Sequence, residues 1–272
     1  MSRALALVVL TIVGAAYAAG WPRLSRRSPG SLALWRPFAA AAGLGTFGVA
    51  MVSPLAVAAE ERFAAHMLQH VLMTIVAVPL LLIADPFAAM IWSLPCRGRA
   101  AVGRLLAPAS PLRRVIAFMV APAAAWTIST AVVWAWHAPI LYDLALASEA
   151  WHLVEHVAFV AAAVVFWWPV LDPAPRVRRP PGDGTRLAYL VLAAVSNGGL
   201  GVLLASASRP LYTAYAGAPD ALDDQALGGV IMWAVGGGAE MAAILALVWR
   251  ILAETGPRAL TAPGPVRENG PL

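Results

Sequence analysis

The chain has 272 residues, 61 % of them hydrophobic and 12 % charged, and its mean hydropathy is +0.74. Soluble domains carry roughly 25 % charged residues, so this balance excludes an ordinary soluble globule and predicts a multi-pass membrane protein. The net charge of +5 comes from arginines scattered through short connectors, which excludes a nucleic-acid-binding face; the single cysteine, Cys96, excludes a disulfide framework or a two-cysteine metal site.

Apolar stretches long enough to cross a bilayer, at about 20 residues each, fall near 4–20, 37–53, 64–84, 115–136, 150–171, 187–206 and 227–249. They predict an all-α polytopic fold of seven transmembrane helices in one domain, residues 1–252, with a short Pro/Gly-containing tail over 253–272. The first stretch ends in AYAAG, which resembles a signal-peptide cleavage site. Cleavage would place the following arginines outside and invert every later loop against the charge bias, so the stretch is kept as a helix.

The connectors after the first, third and fifth spans carry Arg23, Arg26, Arg27 and Arg36, then Arg97, Arg99, Arg104, Arg113 and Arg114, then Arg176, Arg178, Arg179 and Arg186. The tail adds Arg250, Arg258 and Arg267, whereas the opposite side keeps only Arg3, Arg62 and Arg209. Arginine-rich loops stay in the cytoplasm, so the N-terminus is expected outside and the C-terminus inside. Trp134, Trp136 and Trp151 read as an external aromatic belt, and Trp92, Trp167, Trp168 and Trp249 as the internal one.

On this topology all five histidines fall at the external end of a span. His66 and His70 open span three in HMLQH, His137 ends span four, and His152 and His156 open span five in HLVEH. Residues four apart share a helix face, so each pair forms a two-imidazole ridge. Ionisable groups inside spans are rare and by default functional, and imidazole is the commonest metal ligand, suited to copper and zinc. Met67 adjoins the first pair, and Met51 and Met232 fall near the same depth. Their soft thioethers lean the set towards Cu(I), although packing is the plainer role for each methionine taken singly. Glu155 is placed to orient an imidazole or to serve as an oxygen ligand. Asp143, Asp223 and Asp224 add negative charge at the same mouth, the last two also reading as caps of span seven. Glu240 lies too deep in span seven to join the histidines; with Asn197 at comparable depth, it reads as a packing contact.

Several strings together, HMLQHVLMTIVAVPLLLIADP, WAWHAPILYDLAL, WHLVEHVAFVAAAVVFWWPVL, RPLYTAY and DQALGGVIMW, resemble the multi-span CtaG family of cytochrome c oxidase assembly factors, in order, over about residues 60–235. His66 and His70 match its first motif, and His137, Tyr142 and Asp143 its second. His152, Glu155 and His156 match the third, and Asp224, Gln225, Gly228, Gly229, Met232 and Trp233 the fourth. The resemblance implies a seven-helix protein of the bacterial inner membrane that helps build haem–copper oxidase. The implied task is delivery of copper near the periplasmic face. Its partners would be oxidase subunits, periplasmic copper donors and the lipid bilayer. Three readings compete with this non-enzymatic copper chaperone. An intramembrane zinc hydrolase would use Glu155 as base, a haem-binding electron carrier would use axial histidines, and a copper importer would use the same ligands.

Overall fold

A computed structural model describes residues 3–27 and 33–255, and within them the chain is helical with no strand. The helices are α1 (Arg3–Arg27), α2 (Arg36–Val52), α3 (Leu55–Glu61), α4 (Phe63–Val71), α5 (Val78–Ile83), α6 (Pro86–Ser93), α7 (Cys96–Leu105), α8 (Pro111–Met119), α9 (Pro122–Trp136), α10 (Pro139–Ala147), α11 (Glu149–Leu171), α12 (Asp183–Ala205), α13 (Ala221–Ile231) and α14 (Gly237–Thr255). A π-helical turn, Leu72–Ala77, fuses α4 to α5, and another, Met232–Gly236, fuses α13 to α14. Five continuous helices are long and apolar enough to cross a membrane; α2 with α3 and α8 with α9, bent by 44° and 71°, make seven if each pair is one span. The predicted all-α polytopic fold is therefore what the chain adopts.

Several segments expected as plain connectors are helical. Pro86, Pro111, Pro122 and Pro139 each open a helix, where proline's fixed φ suits the first turn and its missing N–H costs nothing. Thus α3, α6, α7 and α10 occupy stretches the apolar pattern leaves between spans. At the far end α14 runs through Thr255, and residues 256–272 of the expected tail lie outside the described residues, as do Arg258 and Arg267.

The fused α4–α5 helix packs against α2, α11 and α13 and so lies near the middle of the bundle. Two close approaches fix the neighbouring helices. A Cβ on Gly20 would stand 1.7 Å from the Ala89 carbonyl oxygen, so α1 and α6 meet backbone to backbone. A Cβ on Gly229 would stand 2.6 Å from both Gly201 O and Ala205 N, which seats α13 directly on α12. At the arginine-rich end, Asp85 turns the chain with φ 51°, a left-handed conformation that aspartate tolerates. Its carboxylate pairs with Arg36 and accepts the Ala174 N–H at 2.9 Å, tying the α2, α5 and α11 ends together.

Two of the tryptophans assigned to aromatic belts are instead interior. Trp136 packs with Ala145 and Phe159. Trp167 is 3 % exposed and donates its indole N–H to the Thr74 carbonyl at 3.1 Å. That carbonyl lies in the first π-turn, whose wide pitch leaves backbone acceptors needing outside partners. Trp134, Trp151 and Trp249 face outward as expected.

Candidate metal centre

The histidine site begins where α3 breaks into α4. Arg62 is extended (φ −133°, ψ 127°), so the chain turns and restarts at Phe63. The free Phe63 N–H donates to Asp224 Oδ2 at 2.6 Å. A carboxylate from the start of α13 thus caps α4, satisfying one of the orphan donors every helix start exposes. This corrects the expectation that Asp224 caps its own span: Asp220 occupies that position. Arg62 holds Asp220 through two hydrogen bonds, at 2.9 and 2.7 Å, and lies 3.4 Å from Asp224. The arginine's hydrogen bonds hold the Asp220 carboxyl below the usual carboxylate range.

From that anchored start, the i, i+4 spacing brings the His66 and His70 rings to 4.4 Å, and on α11 the His152 and His156 rings to 4.3 Å. The two ridges face each other: His66 lies 5.3 Å from His152 and His70 5.2 Å from His156, centroid to centroid. Glu155 projects between them, 1 % exposed, with Oε2 3.7 Å from His66 Nε2 and Oε1 3.7 Å from His70 Nε2. His66, His70, Glu155 and His156 each offer one ligand atom, and all four atoms lie within 4.8 Å of one another. His152 flanks this group, its Nε2 3.9 Å from Glu155 Oε2. His137 lies to the other side and shares with His70, Met67 and Met232 a cavity of about 80 Å³.

The hydrogen bonds of the cluster are as informative as its distances. His66 Nδ1 lies 3.3 Å from the Ala59 carbonyl and 3.2 Å from the Tyr215 hydroxyl, which itself donates to Ala59 O. These partners assign the proton to Nδ1 and leave the Nε2 lone pair facing Glu155. His137 Nδ1 is 2.7 Å from Val133 O, which likewise leaves its Nε2 bare. His66 Nε2, both ring nitrogens of His70 and His156, His137 Nε2, His152 Nε2 and Glu155 Oε2 are buried without a hydrogen-bond partner among the described residues. Each such group costs about 1–3 kcal/mol when left unpaired, so this many in one place need a common partner. A cation supplies one: imidazole lone pairs and a carboxylate oxygen are ligands for zinc and for copper.

The remaining expected site residues have other neighbours. Met51 packs with Ala6, Ala50 and Met73. Met67 lies in an aromatic group with Phe63, Tyr142, Tyr212 and Tyr215, and Met232 packs against that group. Asp143 accepts from the Thr213 N–H and hydroxyl and from the Ala214 N–H, so it fastens the 206–220 connector. The atoms that converge on Glu155 are imidazole and carboxylate, while Met67 and Met232 line the cavity that His70 and His137 share. Glu240 sits apart, fully buried, its Oε1 accepting the Asn197 amide at 2.6 Å, in keeping with a packing contact. The sequence pattern alone assigns no role to Tyr212 and Tyr215. Tyr215 orients His66, and the Tyr212 hydroxyl donates to the His137 carbonyl at 3.0 Å. Their spacing within RPLYTAY was the available signal, since two tyrosines in an external connector have polar tips to place.

The helices and this cluster define an all-helical, multi-pass membrane protein with a buried histidine–carboxylate centre near one end of the bundle. The family model for the cytochrome c oxidase caa3 assembly factor (Caa3_CtaG) matches residues 15–254, and the chain belongs to that family of oxidase assembly factors. No curated protein and no solved structure matches the chain.

Proposed function

We propose that the chain is a membrane metallochaperone. It would hold copper as cargo between α4 and α11 and pass it to a cytochrome c oxidase under assembly. His66, His70, His156 and Glu155 would be the ligands, with His152 and His137 adjacent for ligand exchange. The reading rests on one observation above all, the convergence of unpartnered, buried imidazole nitrogens around the Glu155 carboxylate. Membership of an assembly-factor family supports an oxidase as the recipient. The arginine distribution would put the centre on the periplasmic side of a bacterial inner membrane, where periplasmic donors could load it. With rings only 4.3–5.3 Å apart, the ridges offer no slot for a haem macrocycle.

Within this chain, the resident groups bind, orient and seal. Tyr215 and Val133 fix two imidazole tautomers, Glu155 offsets positive charge, and the tyrosines of the 206–220 connector keep water from His66, which is 0 % exposed. Bound copper would be held by ligands that exchange, as delivery requires.

Metal titration of purified protein tests the reading. Wild type should bind copper, and His66→Ala/His156→Ala, which removes one ligand from each ridge, should lose that copper while keeping its helix content. Equal copper stoichiometry in the two proteins would overturn it. The carboxylate within the donor set favours zinc as a second reading, with Glu155 beside a metal-bound water. One zinc per chain, with no copper taken up after copper loading, would decide for that reading.

A further inference from the structure

The opposite end of the bundle holds a feature that metal delivery leaves unused. The last turns of α1, the end of α6 and the start of α7 enclose a pocket of about 300 Å³ lined by Arg23, Arg26, Arg27, Trp92 and Arg99. Arg23 is structural: its Nη1 lies 3.4 and 3.3 Å from the Trp92 and Ser93 carbonyls, binding the end of α6 to α1. The Arg99 guanidinium lies over the Trp92 ring at 4.5 Å and that of Arg27 at 5.8 Å, so both cations are drawn to one indole.

Among the described residues no carboxylate balances the charge here. Among the described arginines Arg36, Arg62, Arg176, Arg186 and Arg250 pair with a carboxylate and the rest do not, so what sets this pocket apart is that four unpaired ones meet around one opening. Among the described residues, Arg23, Arg26, Arg27 and Arg99 have no carboxylate within 4.0 Å, and no acidic side chain lines the pocket. Like charges gathered around one pocket repel, which favours a counter-anion between them. Guanidinium groups on two sides, with forked N–H donors, match the oxygens of a phosphate better than a single carboxylate. Trp92 marks the depth at which phospholipid head groups lie, since tryptophans collect at the membrane–water interface. The neighbouring Leu94 is 38 % exposed and offers an apolar rim.

The geometry points to an anion site here that takes a phosphate ester, supplied either by an anionic phospholipid of the surrounding bilayer or by a soluble phosphate ester. Arg26, Arg27 and Arg99 are the binding cations, and Trp92 holds two of them in place.

The test uses the full chain in neutral detergent, with ligand retention read by native mass spectrometry. Dioleoylphosphatidylglycerol, dioleoylphosphatidylcholine and glycerol 3-phosphate are offered separately. Wild type should retain one phosphatidylglycerol in preference to phosphatidylcholine. At about fivefold per surface arginine, Arg26→Gln/Arg27→Gln/Arg99→Gln should weaken retention on the order of 100-fold. Arg104→Gln/Arg114→Gln/Arg179→Gln, which removes equal charge outside the pocket, should leave it unchanged. Retention of glycerol 3-phosphate, lost in the pocket variant alone, would make a soluble ester the source. Equal retention of both lipids with no retention of glycerol 3-phosphate, or equal weakening in both triple variants, would overturn the site. If the pocket variant does not fold, Arg27→Gln, whose guanidinium makes only the ring contact among the described residues, should still show the fivefold loss, and its absence would overturn the site too.

Discussion

His66 Nε2 and Glu155 Oε2 face each other across 3.7 Å in the interior of a membrane bundle, and neither atom has a hydrogen-bond partner among the described residues. His66 Nδ1 is committed to Ala59 and Tyr215, so the facing nitrogen presents a lone pair to a carboxylate. Two acceptors held that way are stabilised by a positive charge between them.

Glu155→Gln keeps the shape of the side chain and removes that charge. Copper affinity should fall about 10- to 100-fold, while the helical circular dichroism spectrum stays that of wild type. Unchanged affinity on titration would show that the carboxylate takes no part in holding the ion.

The connector over 206–220 is fastened by the Arg62–Asp220 pair and by Asp143. Asp220→Asn should therefore raise amide hydrogen exchange across 211–218 and quicken copper loading, without altering copper stoichiometry. Its pH behaviour follows from the depressed carboxyl. A group whose folded pKa lies below its unfolded value, about 3.9 for aspartate, contributes stability above that value and loses it as pH falls through the folded pKa. Protection of 211–218, corrected for intrinsic exchange rates, should thus be the same at pH 7 and pH 5. A fall over that interval would assign the fastening to another group.

Gly229→Ala places a Cβ 2.6 Å from two backbone atoms of α12. It should destabilise the protein by about 1–3 kcal/mol and, because α13 carries Asp224, weaken metal binding as well. Gly237→Ala, with nothing within 4 Å of the added carbon, is the matched control and should be neutral or slightly stabilising in thermal unfolding. Equal melting temperatures for the two variants would refute the close approach.

Glu240 accepts the Asn197 amide inside the membrane. Glu240→Gln preserves an acceptor and should change stability by less than about 1 kcal/mol. Glu240→Leu strands the amide and should cost about 1–3 kcal/mol, and adding Asn197→Leu should restore much of the loss. A larger effect of Glu240→Gln on copper delivery than on unfolding would show that the carboxyl has a role beyond packing.

The spans and the two histidine ridges were legible because each depends on local periodicity: apolar runs set the helices, and an i, i+4 spacing sets a shared face whatever the tertiary contacts. What the sequence obscured depends on pairings between distant segments. Asp224 read as a local cap because helix starts favour aspartate, yet its partner is Phe63 on another span. Met51 was singled out by depth alone, which carries no azimuth, and its packing partners are Ala6, Ala50 and Met73. Tyr212 and Tyr215 act through a connector whose path over the site follows from its fastening to Asp143 and Arg62. The arginines, read only as a signal of orientation, gather around Trp92 because the α1–α6 contact at Gly20 brings two separate connectors together.

The Asp224 contact also imposes an order on biosynthesis. Phe63 and its carboxylate cap are 161 residues apart in the chain, and ribosomes add about 5–20 residues per second. The histidine ridge on α4 therefore waits on the order of 10–30 s for the cap that completes its helix, until the final hydrophobic segment leaves the ribosome. In the latter part of that interval, once α11 has been made, both ridges stand without their roof. If the chain carries copper as proposed, a nascent chain would meet metal donors with its centre still open, before the last helix closes it.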